Sequence, residues 1–173
     1  MSTHPCRLLA GISLLLFVFL AVGPAAAQTA AADQVQMYKK AVAAIDAAEK
    51  KLAANDAAAA KAQVKEANAL FARLQKDMPE KMKSLKLTPQ QEEQWLQNNK
   101  LGDDSSAQGQ KLERSGQAKL QQGESLEAQG QNDMATKLQQ EAKRELELAE
   151  KAHLKAAIYH LRNLQLSFSS LVQ

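Results

Sequence analysis

The run LGDDSSAQGQKLERSGQAKLQQGESLEAQGQND, residues 101–133, holds Gly102, Gly109, Gly116, Gly123 and Gly130, each seven residues from the next. Beyond the first 27 residues the chain has no other glycine. Seven residues is nearly two helical turns, so the glycines drift only ~20° per repeat and stay on one face. Interleaved apolar residues give the seam Leu112, Gly116, Leu120, Gly123, Leu126, Gly130, Met134. Each interior glycine costs a helix about 1 kcal/mol against alanine. Gly109, Gly116 and Gly123 are therefore read as helix-packing residues, forming a groove for a neighbouring helix of this chain or of another subunit. The competing reading is a polar linker rich in Gln, Gly and Ser. Asp103, Ser105 and Ser106 favour a bend or stop near 101–104.

Downstream, Gly130 reads as a helix stop and Asp133 as the next cap, repeating the Asn55-Asp56 turn. A final helix from Met134 to about Phe168 would be on the order of 50 Å long. Its end is apolar on more than one face, which marks burial or a partner. Leu154, Ile158, Leu161, Leu164, Phe168 and Leu171 are the candidate partner-binding residues.

Upstream, Thr88-Pro89 with Gln91 forms a capping box with proline at the first helical position. Residues 79–87 form a connector with Lys81, Lys83 and Lys86, and Pro79 ends the preceding helix. Before it, helix one is expected from Asp33, as cap, to Ala54, with Val35, Tyr38, Val42, Ile45 and Leu52 inward. Helix two follows the Asp56 cap and carries Ala60, Val64, Ala67, Phe71, Leu74 and Met78, a 3.5-residue repeat typical of a coiled-coil-like hairpin.

The N-terminus follows the three-part pattern of a secretory signal: Arg7, an apolar run from Leu8 to Val22, a break at Gly23-Pro24, then Ala25-Ala26-Ala27. Cleavage is expected after Ala27, leaving Gln28 first and a periplasmic or secreted protein with no stable membrane insertion. The one cysteine, Cys6, would leave with the signal, so no disulfide holds the fold. Loss of Arg7 takes the net charge from +3 to +2. Charges of both signs are interspersed without a basic block, which argues against nucleic acid.

Alanine, glutamine, lysine, glutamate and leucine dominate, and no stretch alternates in the manner of a strand. The expected fold is all-α: antiparallel helical hairpins forming an elongated three- or four-helix bundle. Residues 1–27 are the signal peptide and 28–173 a single helical domain, divided into a first hairpin (33–78), the connector (79–87), a glycine-heptad helix region (88–130) and a long C-terminal helix (133–170).

No Gly-x-Ser-x-Gly elbow, His-Glu-x-x-His pair, phosphate loop or acidic calcium loop occurs, so no enzyme is indicated. The remaining histidines, His153 and His160, are seven apart and about 10 Å along one helix, too far to share a metal ion. In a closed antiparallel bundle Met37 on the first helix would approach His153 or His160 on the last. That layout, with alanine-lysine segments such as Ala62 to Ala67, resembles the soluble periplasmic b-type cytochromes, four-helix bundles. The resemblance implies haem b held axially by Met37 with one of the histidines. The leading expectation is a protein that binds another protein or itself, in a structural, adaptor or chaperone-like role.

Overall fold

The computed structural model describes residues 24–172, with side chains from Ala31 onward. Among them every regular element is helical: α1 Pro24–Ala53, α2 Ala57–Asp77, α3 Pro79–Lys83, α4 Pro89–Ala128 and α5 Asn132–Ser169. None of these helices is long and apolar enough to cross a membrane. The apolar run Leu8 to Val22 lies outside the described residues.

The two long hairpins are turned by one device. After α1, Asn55 adopts φ +61°, its N–H donating to the Leu52 carbonyl at 3.1 Å and the Asp56 N–H to Lys51 at 2.9 Å. After α4, Gly130 adopts φ +75°, its N–H donating to Glu127 and that of Gln131 to Leu126, both at 2.9 Å. Both are left-handed helix stops that satisfy two orphan carbonyls. The counterpart of Asn55-Asp56 is thus Gly130-Gln131, not Asn132-Asp133. Gln131 occupies the cap of α5, and Asp133 lies inside its first turn. The Asp56 cap is as expected, its carboxylate accepting from the Ala59 N–H at 3.0 Å. So is the capping box of α4, in which the Thr88 hydroxyl and Gln91 satisfy each other's backbone N–H groups.

Two expected breaks are absent. Helix α1 begins at Pro24, and Asp33 lies within it, because proline suits the first helical position and the alanines that follow favour helix. Helix α4 runs unbroken through Leu101-Gly102-Asp103-Asp104 to Ala128. There the Ser105 hydroxyl donates back to the Leu101 carbonyl at 2.7 Å, inside the helix. A partner helix along the whole glycine face offsets the poor local propensity.

That partner is α5. Gly102, Gly109, Gly116 and Gly123 are buried against it, and opposite them Ala135, Ala142, Ala149 and Ala156 are buried, also seven apart. Each step of seven down α4 is matched by a step of seven back along α5. Leucines at the expected seam positions 112, 120 and 126 are only half-buried flanks, and Met134 is 52% exposed. Small residues at the centre let the backbones come close, displacing larger side chains to the edges. In place of the next alanine stands Asn163, buried, donating to Asn99 at 2.7 Å and the Trp95 carbonyl at 3.2 Å while accepting from Asn98 at 3.0 Å.

Helices α1 and α2 pair in the same manner through Ala41, Ala44 and Ala48 on one side and Ala60 and Ala67 on the other. Val35, Val42 and Leu52, expected inward, are half-buried, since the alanines take the line of closest approach. The hairpin then sits on the C-terminal half of α5. Phe71 stacks on Phe168, ring centroids 5.5 Å apart, beside Ile45, Leu74, Ile158 and Leu161. Arg162 ties α5 to α1, its Nη2 2.7 Å from Asp46 and 2.6 Å from Glu49. Helix α5 is the shared element, packed on α1, α2 and α4, while α4 makes no comparable contact with α1 or α2. The four long helices therefore form two hairpins joined along α5 and not a closed ring of four.

Candidate functional site

Helix α5 changes character along its length. The stripe that meets the first hairpin carries Leu154, Ile158, Leu161 and Phe168, all buried. Two and three heptads earlier the same stripe reads Gln140, Arg144 and Glu147, then Lys137, all exposed. The change falls where the first hairpin turns, at which Lys61 pairs with Glu150 at 2.7 Å and Lys151 donates to Asn55 at 3.1 Å. From there to Gly130 the α4/α5 pair continues alone as a two-helix arm, about 30 Å long at 1.5 Å per residue.

The candidate partner-binding residues lie on the other side of that change. Leu154, Ile158, Leu161 and Phe168 are buried, and Leu164 and Leu171 pack half-buried against the same core. Helices α1 and α2 already cover this surface, so it is not open to a partner. The apolar excess on α5 is accounted for by two separate neighbours, the first hairpin and α4.

The histidines sit on glycines. The His153 ring lies over Gly109, so that an added Cβ there would come within 2.7 Å of it, and the His160 ring lies over Gly102 at 3.2 Å. His153 Nε2 is 3.5 Å from Glu113. Met37 is elsewhere. It is buried among Ile45, Met78 and Phe168, and its neighbour Tyr38 donates to the Gln165 carbonyl at 3.5 Å, placing this end of α1 beyond both histidines along α5. The axial pair implied by the cytochrome resemblance is thus not brought together, because α4 and not α1 faces the histidines. No group of three or more His, Cys, Asp or Glu stands close enough to hold a metal ion among the described residues.

The two sides of the arm differ. On the α2 side, Leu120 and Leu146 floor a shallow groove edged by Glu124, Lys143, Glu147 and Glu150. On the α1 side, Lys119 bridges the helices, its Nζ 2.8 Å from Glu141 and 3.0 Å from Glu145. The Ser115 hydroxyl and Lys119 hold the Glu145 carboxyl below its ordinary range against the opposing effect of burial, and Glu141 and Glu145 raise the Lys119 ammonium above its own. Beyond this rung, Leu52, Leu112, Leu148 and Ala152 line a concave patch of about 310 Å³ rimmed by Lys151 and Lys155. Leu148 is 51% exposed at its edge. Sequence reasoning missed Leu148. The signal was its place two heptads from Met134, on a stripe otherwise charged.

No family model, curated protein or solved structure matches this chain.

Proposed function

We propose that this is an exported protein that works by contact, using the α4/α5 arm as a structural or adaptor element that meets another protein or a second copy of itself. The observation that carries the reading is the exposure of Met134 and Leu148, 52% and 51%, on an arm whose other exposed residues are polar, charged or small. Apolar side chains kept on a solvated strut, clear of the large-residue core around Phe71 and Phe168, serve recognition better than stability. The arm's interior is glycine and alanine, which leaves no room for a ligand between its helices.

Export rests on the N-terminal pattern of Arg7, the apolar run and Ala25-Ala26-Ala27. Cleavage after Ala27 would shorten α1 by about one turn and leave the first-hairpin core, which begins at Met37, intact. N-terminal sequencing of protein recovered from the periplasm should give Gln28. An uncleaved chain found in the membrane fraction would remove this part of the proposal.

For the contact itself, a photo-reactive residue at Met134 should yield one recurrent adduct in living cells, with another envelope protein or with this chain. Adducts no stronger than those from an equally exposed site such as Lys39 would dispose of it.

A further inference from the structure

We infer that Asn163 is a latch that holds the arm in one of two helix registers, which differ by a slide of α4 along α5 of one heptad. The second register shortens the arm, so the latch fixes how far its tip reaches, whether or not a partner is met there.

The glycine–alanine ladder alone does not choose between the two. As it stands, Gly102, Gly109, Gly116 and Gly123 lie opposite Ala156, Ala149, Ala142 and Ala135. Gly130 keeps the same period although it makes the turn. A slide of α4 by seven residues toward the C-terminus of α5, about 10 Å, therefore gives four such rungs again, with Gly130 added on Ala135 and Gly102 passing to Asn163. The side chains above the glycines suit the move as well. His160, His153, Leu146 and Gln139, which cover Gly102, Gly109, Gly116 and Gly123, would cover Gly109, Gly116, Gly123 and Gly130. Glu113 would exchange His153 for His160.

What breaks the tie lies past the last alanine. Asn163 is buried and binds the Trp95 carbonyl, Asn98 and Asn99, at 3.2, 3.0 and 2.7 Å. One heptad on, α4 offers Gly102, Ser105 and Ser106 in the same places. Serine reaches less far than asparagine, and the Ser105 hydroxyl already donates to Leu101. The slid register thus leaves a buried amide short of partners, which is costly. Other contacts favour the observed register too. Lys119 would leave Glu141 and Glu145, Gln91 would leave Ser169 and Ser170, and Glu127 would leave Gln139. These lie along the edges of the pair, where such bonds contribute modestly. The turn would pass from Gly130 to Asp133, and aspartate accepts the left-handed conformation better than most residues. A buried asparagine that specifies register is a device known from coiled coils. In the slid register the turn lies about half a heptad further along α5, which draws the tip in by about 5 Å. At the other end, residues 84–88 between α3 and α4 take up the movement, since they can span about 17 Å when extended.

The test is disulfide trapping in the full chain carrying Cys6→Ser. Leu112 and Leu148 are the counterparts, one heptad on, of the bonded pair Lys119 and Glu141, and both line one patch. Leu112→Cys with Leu148→Cys therefore reports the observed register, and Leu112→Cys with Lys155→Cys the slid one. Leu112→Cys with Glu141→Cys reports a slide the opposite way, which would set Trp95 under His160. With Asn163 in place, the 112/148 pair should close within one chain under mild oxidation while the other two lag. Asn163→Ala should speed closure of 112/155 about tenfold or more, with 112/141 unchanged. Asn98→Ser and Asn99→Ser combined with Ser105→Asn and Ser106→Asn move the partners of Asn163 by one heptad, so 112/155 should then close before 112/148. This chain keeps Asn163 and decides alone if Asn163→Ala loses helix by circular dichroism. A 112/155 pair that stays slow in both chains overturns the inference. So does an equal rise for 112/155 and 112/141 in Asn163→Ala, which would mean that the two helices had only loosened.

Discussion

A methyl group added to the glycine face would meet a different obstacle at each rung. At Gly116 it would lie 2.9 Å from Leu146 Cγ and 3.1 Å from the Ala142 carbonyl oxygen. Neither the branched carbon nor the backbone can step aside without moving α5. At Gly109 the obstacle is the His153 ring, the free end of a side chain, and at Gly123 the nearest atom is Gln139 Cγ at 3.1 Å. Alanine returns about 1 kcal/mol of helix propensity at each site, while overpacking a close contact costs about 1–3 kcal/mol. Thermal melts should therefore rank Gly116→Ala as the most destabilising, Gly109→Ala as milder and Gly123→Ala as near neutral. Equal shifts for all three would mean that the glycines do not set the spacing. The same scale explains why the partner residues were hidden. Outside the first 27 residues every glycine but Gly130, which makes the turn, lies on this face, so their period is visible. Ala135, Ala142, Ala149 and Ala156 keep the same period, but alanine is so common here that four in register do not stand out. Asn163 has a comparable role at the end of the series. Its removal by Asn163→Ala strands Asn98 and Asn99, and a loss of about 1–3 kcal/mol in denaturant titrations is expected.

The elements were legible where a local group ends them. Thr88, Gln91, Asp56 and Pro79 act within one turn of themselves, so their signals survive in sequence. The continuity of α4 across residues 101–104 depends on a helix some 60 positions away and could not be read locally. The apolar tail of α5 was recognised as covered by something, but its cover is shared between α4 and the first hairpin, a matter of tertiary placement. Along the arm, the Lys119 rung gives the α4/α5 pair a pH dependence of definite sign. Glu145 titrates lower folded than unfolded, so its stabilising contribution is present above its unfolded value and fades as pH falls through the folded one. Lys119 titrates higher folded, so its contribution holds at neutral pH and fades as pH rises through its folded value. Amide exchange along residues 113–120 and 140–147 should accelerate on acidification relative to the first hairpin, after correction for intrinsic rates. Glu145→Gln should flatten that difference. If it does not, the rung does not hold the arm.

For the whole molecule, the decisive property is that stability and reach are separated along α5. All twelve buried residues of the main core cluster, from Met37 to Phe168, lie outside the arm. The arm contributes length, and its register repeats every seven residues on both strands. One heptad can thus be removed from each helix, residues 121–127 from α4 and 135–141 from α5, and by the spacing of the Gly116–Leu146 and Gly123–Gln139 rungs Leu120 stays level with Ala142 and Ala128 with Met134. The turn at Gly130 is untouched. Such a chain should fold cooperatively with a melting midpoint within a few degrees of wild type, since neither the core cluster nor the Arg162 clamp is altered. Its arm would be about 10 Å shorter. A partner that meets the tip should then lose its Met134 adduct although the protein is fully folded. Deleting only one of the two heptads slides α4 by seven residues along α5, which keeps glycine on alanine but takes Asn98 and Asn99 away from Asn163 and pulls on the segment that joins α2 to α4, and should cost more. If the single and double deletions were equally tolerated, the arm would not be a registered pair of helices. If the double deletion unfolded the protein, stability would not reside in the core to which it is assigned here.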